Sequence, residues 1–115
     1  MLSEREEQAL LDMRDNALLA AEWTESLDDR AFEHDRKTFY AVTRCLEIIS
    51  EASRRLPESL IERHPQYDWR QMRDAGNVYR HVYHGVSERR VLRSVREHLP
   101  PLLAIVEHEL AGADG

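Results

Sequence analysis

Apolar residues recur every three or four positions over most of the chain, which is the spacing of an amphipathic α-helix. The spacing predicts a first helix from Ser3 to about Thr24, a second from Asp29 to about Arg55, a third beginning after Asp68 and a last beginning at Ser87. No segment alternates between apolar and polar residues for more than a few positions, so no hairpin is expected. The four apolar stripes are Leu10, Met13, Ala17, Ala20 and Ala21; Phe32, Phe39, Val42, Leu46, Ile49 and Ala52; Trp69, Met72, Gly76, Tyr79 and Tyr83; and Leu92, Val95, Leu99, Leu102, Val106 and Leu110.

Capping and helix-breaking residues mark the ends of these helices. Ser3 and Glu6 form the pattern of a capping box, in which each side chain covers a free amide of the first turn. Pro57 stops the second helix, and one turn of helix is expected over residues 58–63. Gly85 is placed to end the third helix.

Pro100 and Pro101 fall inside the apolar stripe of the last helix. Each proline removes an amide donor and crowds the preceding turn, so a kink or a break is expected there. The chain is therefore predicted to be all-α, a bundle of four to five helices forming one domain over residues 1–115.

Composition narrows the class of protein further. Of the 115 residues, 42% are apolar and 33% are charged, and no run of about 18 apolar residues could span a bilayer. The single cysteine, Cys45, excludes an internal disulfide and a cysteine-rich zinc site. The acidic first residues do not resemble a signal peptide, so we expect a cytoplasmic protein with no membrane contact and no cofactor.

Charge is unevenly distributed along the chain. The formal net charge is −6, but residues 70–98 carry seven arginines against three acidic side chains. A contact with a polyanion would be sought in this stretch. The alternative interpretation is a solvated arginine face on ordinary helices.

Reactive side chains are concentrated between residues 73 and 84. On a helix, Arg73, Asn77, Arg80 and His81 share one stripe with His84, and Tyr83 follows two residues after His81. Imidazole can take a proton from a ribose 2′-hydroxyl near neutral pH, and guanidinium can hold a phosphate and stabilise a pentavalent transition state. A phenol can donate a hydrogen bond to the same phosphate. The pattern is what a metal-free ribonuclease needs, although surface hydrogen bonding would account for it as well.

A metal site is a weaker alternative for the same stretch. His81 and His84 have the i, i+3 spacing that can chelate a metal ion, with Glu88 or Asp74 as further ligands. Pairs at this spacing often arise by chance, so no metal ligand is predicted.

The segment from Trp69 through Gly76 and Asn77 to His81 and Tyr83, followed by a helix with Leu99-Pro100, resembles the HepT-like toxins of the HEPN superfamily. The string from Ala41 to Ala52 looks like the second helix of that family. The resemblance covers roughly residues 5 to 110, in the same order.

The resemblance implies a helical homodimer that cleaves RNA without a metal and is paired with a nucleotidyltransferase antitoxin. In that family His81 would be the general base or acid. Tyr83 would be both an active-site residue and the acceptor of AMP from the antitoxin. One position departs from the family pattern, because Gly76 stands where the motif arginine is usual, which leaves Arg73 and Arg80 as its replacements.

Two functions remain open on this basis. One is an endoribonuclease toxin that works by attack of the 2′-hydroxyl on the adjacent phosphate. The other is a catalytically inactive HEPN dimer that binds a nucleotidyltransferase, which the glycine at position 76 favours. A homodimer is also expected because two of the helices carry more apolar surface than a bundle of this size needs.

Overall fold

The computed structural model of the chain describes residues 2–78 and 86–114, with the backbone alone for residues 76–78, 86, 87, 113 and 114. Every regular element in these ranges is helical, which confirms the predicted all-α class. The elements in chain order are α1 (Glu4–Thr24), α2 (Asp29–His34), α3 (Arg36–Ser53), α4 (Glu58–Arg63), α5 (Trp69–Val78), α6 (Val86–Arg93), a π-helical turn (Ser94–His98) and α7 (Leu99–Asp114).

Helix starts follow the side chains that cap them. Ser3 and Glu6 form both hydrogen bonds of the capping box. The Glu6 amide donates to the Ser3 hydroxyl at 3.1 Å, and the Ser3 amide donates to the Glu6 carboxylate at 3.0 Å. The Asp68 carboxylate accepts a hydrogen bond from the Gln71 amide at 3.0 Å and opens α5. The predicted capping box, the start of α5 and the short helix over residues 58–63 are therefore confirmed.

The predicted second helix is wrong at Asp35, where the structure divides it into α2 and α3. Asp35 leaves the helical region (φ −102°, ψ 84°), and its carboxylate accepts hydrogen bonds from the Thr38 amide at 3.0 Å and the Thr38 hydroxyl at 2.8 Å. These two bonds, the amide first, hold the pKa of Asp35 below its ordinary value. An aspartate that caps a new helix outcompetes continuation of the old one.

The two prolines do not break the last helix. The backbone stays helical from Val86 to Asp114, and the π-helical turn lies directly before Pro100. In that turn the Leu99 amide donates to the Ser94 carbonyl, five residues back. The predicted irregularity is thus a wider turn that adjoins the prolines, which have no amide to donate.

One hydrophobic core joins the long helices. α1 packs against α3 and α7, and α3 also packs against α5, while α2 lies on α3 and α6. Phe32 and Phe39, on either side of the Asp35 break, are both buried and meet edge to face with ring centroids 6.0 Å apart. The fully buried members of this core include Leu10, Met13, Phe32, Val42, Leu46, Ile49, Leu60 and Val91.

Candidate functional site

Helix α5 carries the first part of the predicted site and is held firmly against α3. Trp69 and Met72 are buried in the core, with 6% and 4% of their surfaces exposed. The indole N–H of Trp69 also donates to the His64 carbonyl at 2.9 Å. Two groups of α3, the Ser50 hydroxyl and the Arg54 guanidinium, each donate to the Arg73 carbonyl at 2.9 Å. The position of α5 is therefore fixed by both packing and hydrogen bonds.

Arg73 points from α5 towards α4. Its guanidinium lies 3.9 Å from the Glu58 carboxylate, and 32% of its side chain is exposed. Its Nε is buried without a hydrogen-bond partner among the described residues. Arg73 is the only one of the five predicted catalytic residues whose side chain the structure describes.

Of the other predicted site residues, the structure describes only the backbone of Asn77. Asn77 lies in the last turn of α5, where the backbone alone is described. Arg80, His81 and Tyr83 lie outside the described residues, as does His84. What the structure does show is that α5 ends at Val78 and α6 begins at Val86, so these two helices enclose the motif in the chain.

Helix α6 is fixed to α3 by an ion pair whose carboxylate is buried and whose arginine is partly exposed. Glu88 is 0% exposed, and its carboxylate accepts a hydrogen bond from the Arg36 guanidinium at 2.5 Å. Arg36 also lies over the rings of Phe39 and Tyr40, at 4.7 and 5.1 Å from their centroids. Hydrogen bonds to Tyr40 and to Glu88 raise the pKa of Arg36 above its ordinary value. Glu88 is thus engaged by an arginine, which leaves it poorly suited to hold a metal ion.

A groove of about 1050 Å³ separates α5 from α6, the π turn and α7. Its apolar lining includes Met72, Ala75, Pro101 and Ile105. Its polar lining comprises His64, Gln66, Asp68, Gln71, Asp74, Arg90, Arg93, Ser94, His98 and His108. Arg73 is not part of this lining, so the groove and the Arg73 side chain lie on different faces of α5.

The four arginines from residue 89 to residue 96 differ in their partners. Arg89 is paired with Glu33 at 3.0 Å, and Arg96 is paired with Asp29 at 3.2 Å and also donates to the Leu27 carbonyl. Arg90 and Arg93, which line the groove, pair with no carboxylate among the described side chains. The uncompensated positive charge of this segment therefore faces the groove.

Two side-chain contacts join the segment before α5 to the π turn and α7. The His64 ring lies 2.7 Å from one Glu109 oxygen, and Arg63 lies 2.5 Å from the other. Hydrogen bonds from Arg63 and then from His64 hold the pKa of Glu109 below its ordinary value. The Tyr67 hydroxyl donates to the His98 carbonyl in the π turn at 3.1 Å. Both contacts tie the segment before α5 to the last helix.

The sequence analysis did not predict this groove. From the sequence, His64 before Pro65 is the type of residue that caps a helix end, and His98 and His108, each beside carboxylates in the chain, are typical of surface positions. The backbone of His64 does end α4, but its ring binds Glu109. The only signal in the sequence was a helical spacing that places Arg90, Ser94, His98, Pro101 and Ile105 on one face.

Neither a metal cluster nor a membrane-spanning helix is found among the described residues. No group of three or more His, Cys, Asp or Glu side chains in residues 2–78 and 86–114 is arranged to hold a metal ion. Within the same ranges, no helix has the length and apolar character needed to cross a membrane.

Comparison with known proteins places these features in a family. The sequence profile of the Ribonuclease HepT-like family matches residues 13–109. A protein of Thermococcus cleftensis named "Probable ribonuclease HepT" is 37% identical over 93 residues, which cover 81% of this chain and 84% of that protein. A protein of Methanocaldococcus jannaschii named as a candidate RNase is 33% identical over 107 residues, which cover 92% of this chain and 98% of that protein. No solved structure matches the chain significantly.

Proposed function

Because the chain belongs to the HepT-like ribonuclease family, we propose that it is a metal-independent endoribonuclease that acts as the toxin of a type II toxin–antitoxin pair. The observation that carries this proposal is the match of the family profile over residues 13–109, which includes the motif segment. The relatives named as ribonucleases, matched over most of their length, support RNA as the substrate.

The proposed reaction is attack of a ribose 2′-hydroxyl on the adjacent phosphorus. His81 accepts the proton of the 2′-hydroxyl while the bond from O2′ to phosphorus forms and the bond from phosphorus to O5′ breaks. The leaving O5′ takes a proton from water. The products are one RNA end with a 2′,3′-cyclic phosphate and one with a 5′-hydroxyl.

The charge of the transition state is assigned to side chains beside His81. Arg80 or Arg73 would hold the phosphate in place of an arginine at position 76, and Asn77 and Tyr83 would donate hydrogen bonds to it. Arg73 must leave its contact with Glu58 to do so, since the two are 3.9 Å apart in the structure. Arg80 has the shorter path in sequence because it directly precedes His81.

The proposal is tested by RNA cleavage with EDTA present. His81→Ala is expected to lower the rate by about 10² to 10⁴, the usual contribution of a general acid or base. Arg44→Ala, at an exposed position on α3, is the matched surface control and should leave the rate unchanged. A His81→Ala protein as active as the parent would refute the catalytic assignment.

We further propose that a nucleotidyltransferase antitoxin neutralises the chain by transferring AMP to Tyr83. The phenol oxygen attacks the α-phosphorus of ATP, pyrophosphate leaves, and the new phosphodiester places negative charge and an adenosine where substrate phosphate would bind. Incubation with the partner enzyme, ATP and Mg²⁺ should add one adenylyl mass to the parent chain and none to Tyr83→Phe. A label that persists in Tyr83→Phe would refute this assignment.

A homodimer is the proposed working form. Among the side chains that the structure describes, four large apolar ones are exposed, three within two turns at the end of α1 and one on α3: Leu18, Leu19, Trp23 and Tyr40. A second copy is an economical way to cover such surface in a small bundle. Sedimentation at micromolar concentration should give twice the 13.5 kDa chain mass, and a monomer would contradict the proposal.

The second candidate function is a catalytically inactive dimer that binds a nucleotidyltransferase. The glycine at position 76, together with the contact of Arg73 with Glu58, favours it. A chain that binds the partner enzyme but leaves RNA intact over the same range of protein concentration would support this function instead.

A further inference from the structure

We propose that the groove between α5 and α6–α7 binds the single-stranded RNA beside the cleaved bond. Arg90 and Arg93 contact its phosphates, and the apolar floor lies under its bases. This inference rests on the proposed ribonuclease function and adds the substrate-binding surface which that function requires.

The arginines of α6 and the π turn differ in their ion-pair partners, and this difference places positive charge at the groove. All four arginines are exposed, but Arg89 and Arg96 are paired with Glu33 and Asp29, whereas Arg90 and Arg93 pair with no described carboxylate. Residues three apart on a helix are neighbours on one face, and both of these arginines line the groove. Two adjacent uncompensated arginines provide binding positions for successive phosphates of a polyanion.

The acidic residues of the lining do not cancel this charge by direct contact. Asp68 accepts the hydrogen bond that starts α5, from the Gln71 amide. Asp74 lies 3.9 Å from Arg70, an exposed arginine outside the groove. The two carboxylates therefore belong to the α5 side of the groove, while the opposite wall carries the two arginines, so the positive charge belongs to that wall and not to the lining as a whole.

The floor and ends of the groove suit an unstacked base. Met72 and Ile105 are almost fully buried and present only small apolar surfaces, and the Tyr67 ring beside them is half-buried. The Gln71 amide lies 3.4 Å from the Nε2 atom of His98, which places a donor, an acceptor and an imidazole ring next to that floor. Proteins that bind single-stranded RNA combine such surfaces with basic side chains that contact the backbone, and Arg90 and Arg93 hold that place here.

Size and place are consistent with the same ligand. A volume of about 1050 Å³ lies at the upper end of the roughly 300–1,000 Å³ typical of ligand pockets, which is room enough for a nucleotide. Ala75 lies three residues before the end of α5, and Arg90 lies four residues after the start of α6, which are rises of roughly 4.5 and 6 Å. The groove therefore begins close to the chain segment that carries His81.

The test measures binding of a short fluorescein-labelled single-stranded RNA by anisotropy, in a His81→Ala background that leaves the probe intact. The groove variant is Arg90→Gln/Arg93→Gln, and the matched control is Arg89→Gln/Arg96→Gln, which removes the same charge from the same stretch of helix. The groove variant should bind about tenfold more weakly at low salt, and the slope of log affinity against log salt should fall by about 1.4. The control should change affinity by less than about twofold.

A variant that is expected to tighten RNA binding shows whether weaker binding by the groove variant could result from loss of folding. Asp74→Asn removes a negative charge from the lining, and it should tighten RNA binding by about twofold while helix content by circular dichroism stays constant. Equal affinities for the groove variant and the control, or no change with either, would overturn the proposal. A groove variant that shifts from dimer to monomer with unchanged RNA affinity would assign the groove to a second copy of the chain, which also overturns it.

The outcomes separate this proposal from the proposed function. If the parent chain binds RNA through Arg90 and Arg93 but does not cleave it, the ribonuclease function fails and the groove stands. If cleavage depends on His81 but both binding and cleavage are insensitive to Arg90 and Arg93, the function stands and the groove fails.

Discussion

Replacement of Trp69 by phenylalanine should destabilise the chain by about 2 kcal/mol. The indole N–H donates to the His64 carbonyl at 2.9 Å, and loss of such a bond costs about 1 kcal/mol. Phenylalanine has roughly 40 Å² less surface than tryptophan, which at about 25 cal/mol per Å² adds about 1 kcal/mol for a side chain that is 6% exposed. The Tyr67 ring, whose centroid lies 4.9 Å from that of Trp69, loses part of its edge-to-face contact as well.

Urea unfolding followed by circular dichroism measures this loss. With a denaturant slope of about 1.5 kcal/mol/M, the midpoint should fall by about 1.3 M. Trp23→Phe is the matched control, since Trp23 is 41% exposed on α1 and the same substitution there should shift the midpoint by less than about 0.3 M. Both variants are measured over a tenfold range of protein concentration, so that any effect on association appears as a concentration dependence.

A concentration-independent shift of the same size in both variants would refute this reasoning. It would mean that neither the bond to His64 nor the burial of the Trp69 ring distinguishes the two tryptophans. A change in the denaturant slope would instead indicate that the substitution alters the compactness of one of the two states.

Three further predictions concern Glu109, Cys45 and Asp35, whose side chains titrate. Because the pKa of Glu109 is lowered in the folded chain, its ionised form stabilises the fold above about pH 4.5, and this stability is lost as the pH falls through the folded pKa. Glu109→Gln should therefore lower the thermal midpoint at pH 7, and the midpoints of variant and parent should converge in acid. The exposed control Glu107→Gln should leave the midpoint at pH 7 unchanged. Burial raises the pKa of the Cys45 thiol, which is 3% exposed, so Ellman's reagent should label native protein much more slowly than protein in urea, and equal rates would contradict the packing. Asp35→Ala removes the carboxylate that caps α3 and should lower the thermal midpoint, whereas Asp15→Ala, at an exposed position in α1, should not.

The boundaries that the sequence predicted correctly are those set by local chemistry. Ser3 with Glu6, and Asp68 before Trp69, act on amides within three residues, so short-range rules suffice. The break at Asp35 escaped because Phe32 and Phe39 are seven residues apart and keep the helical period across it. The spacing of apolar residues shows which face of a segment is buried. It does not show whether the backbone between two turns of that face stays helical.

The candidate site was predictable only in part. The third helix and its position after Asp68 were predicted, but the pairing of Arg89 with Glu33 depends on where α2 lies against α6. The contrast between Arg89 and its neighbour Arg90 therefore exists only in three dimensions. The roles of His81 and Tyr83 remain predictions, since both residues lie outside the described part of the chain.

The π-helical turn affects how relatives of this chain should be aligned. Its Leu99 amide reaches back five residues to Ser94, so the turn holds one residue more than a turn of α-helix. A relative with a regular helix at this place needs one residue fewer between its counterpart of Arg93 and its counterpart of Pro100. A single-residue gap in the alignment there would mark the loss of the turn, and the groove arginines of such a relative should be located by counting forward from α6 rather than backward from the prolines.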